Sequence, residues 1–295
     1  QSAISLMRFK PIVYFAYPAS LTTIQNRTLF WFCVLLRLNV VLRIHDTFEQ
    51  ADVVGAKKFA LNENQESYYF RKATLILALN EPMWRHIKNK YKIQNKRVIF
   101  LHNAFDSVIC RMYSKIYKPL ENRFNICYIG GLTKNRGVDI LVKASEDLNK
   151  KYPFVKLYLF SSYGRETSEE LRNIIEGSSF IVRKHVPRKD LMQALKDIDV
   201  FVMPYNPKES YMNFSSPTKF FEYIGTCKPI LCTKCESLLE IGKDGGIIYI
   251  DYDAKDLKEK IEMLILNPPI REELSLELMK IRPLHTWGER AKKLQ

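Results

Sequence analysis

The stretch Asn125-Ile126-Cys127-Tyr128-Ile129-Gly130-Gly131-Leu132-Thr133-Lys134-Asn135-Arg136-Gly137, followed by Val138 to Leu148, reads as a strand, a loop and a helix in direct succession. Asn125–Ile129 is short and nearly continuous in apolar content, the pattern of a strand covered on both faces. Val138 to Leu148 carries apolar residues at helical spacing. Between them sit three glycines and two cations. A loop of that kind at a helix start can hold phosphate through backbone N–H groups, the helix dipole and side-chain charge together. The spacing is not G-x-G-x-x-G, so the dinucleotide fingerprint is absent, and an ordinary strand-to-helix turn stands as the alternative.

The same alternation extends in both directions. Before it, strands are expected at Ile12–Ala16, Val40–Ile44, Leu75–Ala78 and Val98–Leu101. After it, they are expected at Val155–Phe160, Phe180–Val182, Val200–Met203, Ile230–Cys232 and Ile247–Ile250, with closing helices near Asp256–Leu266 and Arg271–Ile281. Strands alternating with amphipathic stretches predict an α/β fold with mostly parallel sheets. The weakly patterned basic stretch 107–123 marks a boundary, giving a first domain at 1–106, a second at 107–282 and a tail at 283–295. The first domain shows about four strands, fewer than a doubly wound domain usually has, and is expected to lack its opening strand-helix unit.

Composition narrows the class. The chain has 295 residues with 46 Lys+Arg against 32 Asp+Glu, a formal charge of +14, and a hydrophobic fraction of 46%, which excludes disordered and fibrous classes. No apolar run approaches the ~18 residues of a membrane span, and the start lacks a signal-peptide pattern. The longest run, Leu29 to Leu36, suits a buried or an interfacial helix. Six cysteines (33, 110, 127, 227, 232, 235) follow no framework spacing, as in a reduced cytoplasmic protein. The lone Cys232-Thr233-Lys234-Cys235 reads as a strand end ahead of a zinc or redox site. No histidine has a partner at metal-ligand spacing, so no metal is expected. Residues 1–106 hold 15 Lys+Arg and 7 Asp+Glu, which makes the first domain the more suited to an anionic partner. From Arg85 to Arg97 there are six cations and no acid, the pattern of a solvated helix face or of an anionic membrane surface. They are not interleaved with stacking aromatics, so nucleic acid is not expected.

Two further segments can carry chemistry. In Ser215-Ser216-Pro217-Thr218-Lys219-Phe220-Phe221-Glu222-Tyr223, Ser216 is expected to cap a helix whose first position is Pro217. The N–H groups near Thr218 and Lys219 then form an anion site, and Glu222 shares a face with Thr218. A carboxylate beside a phosphate pocket suits hydroxyls such as a ribose diol; a capped surface helix with a Lys219–Glu222 pair is the alternative. His45, with Asp46, lies at the carboxyl end of a strand, where parallel sheets place ligands, and could act as a base, bond a sugar hydroxyl or be a plain loop histidine.

Together these segments resemble the large retaining family 4 of glycosyltransferases, which have the GT-B fold. Gly130-Gly131-Leu132…Arg136-Gly137-Val138-Asp139-Ile140-Leu141…Ala144 resembles its "G-(R/G)-L…K-G-(V/I)-D-x-L-(I/V)-x-A" block. Asp199-Val200-Phe201-Val202-Met203-Pro204 resembles "D-V-F-V-x-P", and Ser216-Pro217-Thr218-Lys219-Phe220-Phe221-Glu222-Tyr223…Gly225…Lys228-Pro229 resembles "S-P-x-K-x-x-E-Y-x-x-x-G-K-P". Asn103-Ala104-Phe105-Asp106 resembles "N-G-V-D", and Val41 to Asp46 fits the strand end with His. Trp287 resembles the last helix, which in the family crosses back onto the first domain. The resemblance implies two Rossmann-like domains facing a cleft, and transfer of a sugar from a nucleotide-diphosphate sugar to a glycan or lipid-linked acceptor. Anomeric configuration would be retained, with neither metal nor cofactor beyond the donor. It implies that His45 and Arg136 act at the reacting centre. Gly130, Gly131, Lys134 and the stretch Ser215, Ser216, Pro217, Thr218, Lys219 would meet the diphosphate, with Glu222 on the ribose and His185 and Val186 beside the base. The setting would be the cytoplasm or, peripherally, the inner membrane face. The sequence departs from the family at Phe214, where many members carry Glu, at Gly131, where Arg is common, and at Arg136, in place of Lys. Those departures motivate a second reading, a non-catalytic subunit that binds a partner protein or glycan.

Overall fold

Every strand pair among the described residues is parallel. The computed structural model describes residues 11–47, 61–115, 117–119, 122–164 and 166–294. The chain divides into two units, Gln1–His102 with Phe214–Ser216, and Asn103–Asn213 with Pro217–Gln295. Three residues of the basic stretch 107–123 (116, 120 and 121) lie outside the described residues.

The first unit runs β1 (Ile12–Tyr17), α1 (Ile24–Leu35), β2 (Asn39–Ile44), α2 (Glu63–Lys72), β3 (Leu75–Ala78), α3 (Glu81–Tyr91) and β4 (Arg97–Phe100), with the strands side by side in chain order. Tyr14 pairs Val41, Val41 pairs Leu75 and Leu75 pairs Arg97 across the sheet. Its core is aromatic: Phe15 packs on Phe30 at 5.2 Å, Phe30 on Tyr69 at 4.8 Å and Tyr17 on Phe70 at 5.1 Å between ring centroids. The helix starts follow side-chain chemistry. Asn62 and Gln65 form a capping box at α2, and Asn80 accepts from the Met83 N–H at α3.

The structure refines one expectation and corrects another. The run Leu29–Leu36 is neither wholly core nor wholly exposed, because α1 buries Phe30 and Cys33 while Trp31, Phe32, Leu35 and Leu36 stand exposed. The cations of 85–97 do not share one helix. Arg85, Lys88 and Lys90 lie on α3, Lys92 ends it in a left-handed turn, Lys96 donates to the carbonyls of Arg71 and Ala73, and Arg97 opens β4. No helix among the described residues is long and apolar enough to cross a membrane.

The second unit contains α4 (Val108–Met112), β5 (Phe124–Ile129), α5 (Val138–Lys151), β6 (Val155–Phe160), α6 (Glu169–Gly177), β7 (Ile181–Lys184), α7 (Arg188–Ala194), β8 (Val200–Met203), α8 (Thr218–Thr226), β9 (Ile230–Thr233), α9 (Glu236–Ile241), β10 (Ile247–Ile250), α10 (Ala254–Leu266), α11 (Pro268–Ile281) and α12 (Trp287–Lys292). Its strand order is β10-β9-β8-β5-β6-β7. The central strands β5, β8 and β9 are buried at every residue, as continuous apolar runs require. The edge strand β7 instead ends in exposed Arg183 and Lys184, and in the first unit the outer strand β1 exposes Ile12 and Tyr14, so coverage on both faces does not extend to those edges. Cys232 and Cys235 are both buried, and burial pushes the Cys235 thiol up to about 11.

Polar side chains tie the core together. Asp199 accepts from the Asn125 N–H at 2.7 Å and from the Tyr117 hydroxyl. Lys228 is buried, and its ammonium donates to the carbonyls of Leu195 (2.9 Å), Lys196 (2.5 Å) and Ile198 (2.5 Å). Removing the donor leaves three carbonyls short of a partner, so Lys228→Met is expected to cost about 3 kcal/mol in urea unfolding, with a lowered midpoint.

Candidate functional site

At the carboxyl end of β5 the backbone is shaped by what no other residue could replace. Gly137 has φ +67°, and a Cβ there would lie 1.8 Å from the Pro204 carbonyl oxygen. Its left-handed conformation turns the chain out of the single-turn helix Lys134–Arg136 into α5. The Tyr128 hydroxyl donates to the Gly131 carbonyl at 3.0 Å. A Cβ on Gly131 would lie 3.6 Å from Nε of Arg136, an ordinary contact distance that puts the guanidinium beside Gly131. Arg136 is half-buried there, whereas Lys134 turns outward to an exposed ion pair with Glu170 at 3.4 Å.

Helix α8 supplies the second half of the site. Pro217, in extended conformation (ψ 117°), holds the position before the helix, which begins at Thr218 without a side-chain cap from that position. Ser216 therefore lies one residue too early to be the cap predicted from its place before proline. The remaining geometry depends on Tyr223. Its ring stacks on Phe201 with centroids 4.3 Å apart, and its hydroxyl accepts from the Ile129 N–H at 2.9 Å, the last residue before Gly130.

The charges converge within the second unit. Glu222 is 2% exposed, yet its carboxylate Oε1 lies 2.9 Å from Nη2 of Arg188, whose side chain is 78% exposed. Burial raises the Glu222 carboxyl above its ordinary range, opposed by Arg188 and Lys219. Lys219, one turn before it, is held below the ordinary lysine range by burial and then by Arg136. A carboxylate thus sits among Arg136, Lys219 and Arg188 next to the open N–H groups of a helix start, an arrangement that can take a polyanion and a hydroxyl pair side by side. Among the described residues, no cluster of three or more His, Cys, Asp or Glu could hold a metal ion.

The structure brings Gly130, Gly131, Arg136, Thr218, Lys219 and Glu222 to one end of the sheet in the second unit. His185 and Val186 lie in the turn before α7, where the exposed His185 has Nδ1 2.9 Å from the Ser162 hydroxyl. Lys134 is directed away. Ser215 and Ser216 group with the first unit, as does His45, which follows β2, donates its backbone N–H to Tyr17 at 3.0 Å and has its imidazole held below the usual range by burial and then Arg43. Arg188 and Tyr223 were not read from the sequence as site residues. Arg188 lies 34 positions from its carboxylate partner, and only the sheet order brings them together. Tyr223 belongs to a quoted motif, but its hydroxyl bond is invisible in spacing. Tyr223→Phe should strand the Ile129 N–H and lower stability by about 1–2 kcal/mol, measurable as a lower melting temperature with secondary structure intact.

Residues 123–267 match the family described as Glycosyl transferases group 1. The capsular polysaccharide biosynthesis glycosyltransferase CapM of Staphylococcus aureus is 26% identical over 167 residues, covering 55% of this chain and 42% of that protein. An uncharacterized glycosyltransferase of Methanocaldococcus jannaschii, MJ1178, is 26% identical over 237 residues, covering 77% of this chain and 60% of that protein. The chain spans about half the length of the curated relatives it matches. A sucrose-phosphate synthase from Thermosynechococcus elongatus superposes with a TM-score of 0.68 at 14% identity over 99% of this chain and 75% of that one. Anabaena HepE in complex with UDP superposes with a TM-score of 0.71 at 13% identity over 99% and 79%. At that identity the likeness concerns the fold. Residues 123–267 of the second unit thus resemble the Glycosyl transferases group 1 family, and the chain has the parallel α/β architecture of GT-B glycosyltransferases.

Proposed function

We propose that this chain transfers a sugar from a nucleotide-diphosphate sugar to a glycan or lipid-linked acceptor, with retention of anomeric configuration. The observation that carries the reading is the buried Glu222 carboxylate set among Arg136, Lys219 and Arg188 at the start of α8, inside the stretch that matches the family. In this reading Glu222 accepts hydrogen bonds from the ribose hydroxyls. Arg136, Lys219 and the first N–H groups of α8 hold the diphosphate and stabilise the charge that grows on it as the sugar leaves. The cations of the chain do the work that a metal ion does in other phosphate sites. His185 and Val186 flank the base. The acceptor falls to the first unit, with His45 at the reacting sugar. The exposed apolar side of α1 suits a lipid-linked acceptor at the inner face of a membrane, with the cations from Arg85 to Arg97 adding attraction to anionic headgroups. HepE, solved with UDP, and CapM, named for capsular polysaccharide synthesis, support the substrate class.

Calorimetry against UDP-, GDP- and ADP-sugars tests the reading; one nucleotide class should bind, and a flat response to all three removes it. Glu222→Ala should weaken binding by about tenfold to a hundredfold, the loss expected when a charged acceptor is removed. Because burial raises the Glu222 carboxyl, affinity should fall on acidification beginning above the pH at which an ordinary glutamate protonates. The anomeric proton signal of the product, by NMR, should show the configuration of the donor; an inverted signal overturns retention. A second reading, a partner-binding subunit without activity, draws on the family glutamate position being Phe214, which is buried and stacked on His86 at 4.8 Å. Transfer or hydrolysis of a labelled donor by the protein alone disposes of it.

A further inference from the structure

The pairing between Arg188 and Glu222 is asymmetric. The carboxylate is nearly inaccessible, while the guanidinium belongs to the first residue of α7 and stands largely in water. An ion pair with one exposed partner contributes little to stability by itself. Its geometry matters more. Arg188 engages Oε1 at 2.9 Å, a contact in which Oε2 takes no part. Two charged groups face Glu222: Arg188 from α7 and Lys219 from its own helix. Arg136 faces Lys219 and, like Arg188, disfavours its charge. Of the two cations near the carboxylate, Lys219 is therefore the one whose charge its surroundings disfavour.

We propose that Arg188 is a positioning residue for Glu222, fixing one carboxylate oxygen and keeping the group ionised so that the other oxygen can accept from the vicinal diol of a ribonucleotide. This rests on the reading of Glu222 as the ribose acceptor. Without Arg188 a buried carboxyl answers to Lys219 alone, retains its proton to higher pH and becomes a donor where the diol needs an acceptor.

The test is titration calorimetry of the full chain and of Arg188→Gln, Arg188→Lys and Glu222→Gln between pH 5.5 and 8. The probes are UDP, GDP and ADP, each beside its 2′-deoxy counterpart. Arg188→Gln should weaken the ribonucleotide by about tenfold at the acid end, the change that one unit of carboxyl pKa produces, and much less at pH 8. The midpoint of the pH dependence should move upward, the 2′-deoxy form should lose less than the ribo form, and Arg188→Lys should restore part of the midpoint. An equal loss for ribo and deoxy forms at every pH, or an unmoved midpoint, overturns the proposal. If Glu222→Gln abolishes the preference for the ribo form while Arg188→Gln leaves the pH profile alone, the Arg188 role falls and the ribose reading stands. If the unaltered chain binds none of the six probes, both fall.

Discussion

The hydrogen bond from the Ile129 N–H to the Tyr223 hydroxyl is the constraint from which the geometry of the second unit follows. It joins the last residue of the central strand β5 to the middle of α8, two segments almost a hundred residues apart in sequence. Once that distance is fixed, the loop that starts at Gly130 and the helix start at Thr218 must lie at the same end of the sheet. Stacking of Tyr223 on Phe201 of β8, which pairs with β5, sets the helix orientation about that bond. Gly137 then completes the loop, because only a residue without Cβ can pass the Pro204 carbonyl, which follows β8. Three contacts between neighbouring strands and one helix therefore place a cation-bearing loop beside a carboxylate.

The electrostatics of the site follow from crowding more than from net charge. The surplus of positive charge over the whole chain says little about where an anion would bind. Burial and then Arg136 depress Lys219, burial raises Glu222, and Arg188 and Lys219 oppose that rise. A polyanion that neutralised Arg136 would relieve the depression of Lys219.

The fold was largely legible because its strands are short, apolar and bounded by clear punctuation. Val155–Phe160, Val200–Met203 and Ile247–Ile250 have the limits expected from the residues. Where the boundaries moved, an edge explains it: β7 extends through Arg183 and Lys184 because an outer strand tolerates polar residues that the apolar rule would exclude. Local chemistry was read less well at the start of α8, since Ser216-Pro217 is a helix-start signature that leaves the register open by one residue. The site was legible wherever its residues lie in one segment, as with Lys219 and Glu222. Arg188 escaped because an exposed arginine after a turn has no distinguishing pattern, and its partner is brought in by topology. The convergence of the cations of residues 85–97 on one helix was overread, because charge counting ignores the turn at Lys92 and the carbonyls that take up Lys96.

Lys228 has a role beyond satisfying three carbonyls. β9, Ile230–Thr233, is buried on both faces, so its side chains do not distinguish inside from outside. A strand with that composition could slide along β8 by a residue or two and still bury nearly the same apolar area. The ammonium of Lys228, two residues before β9, meets the carbonyls of Leu195, Lys196 and Ile198 just ahead of β8 only when Ile230 stands opposite Phe201. A slipped alignment would leave a buried cation without acceptors. The lysine therefore acts as a register pin: it lets the central sheet be uniformly greasy and still have a single alignment.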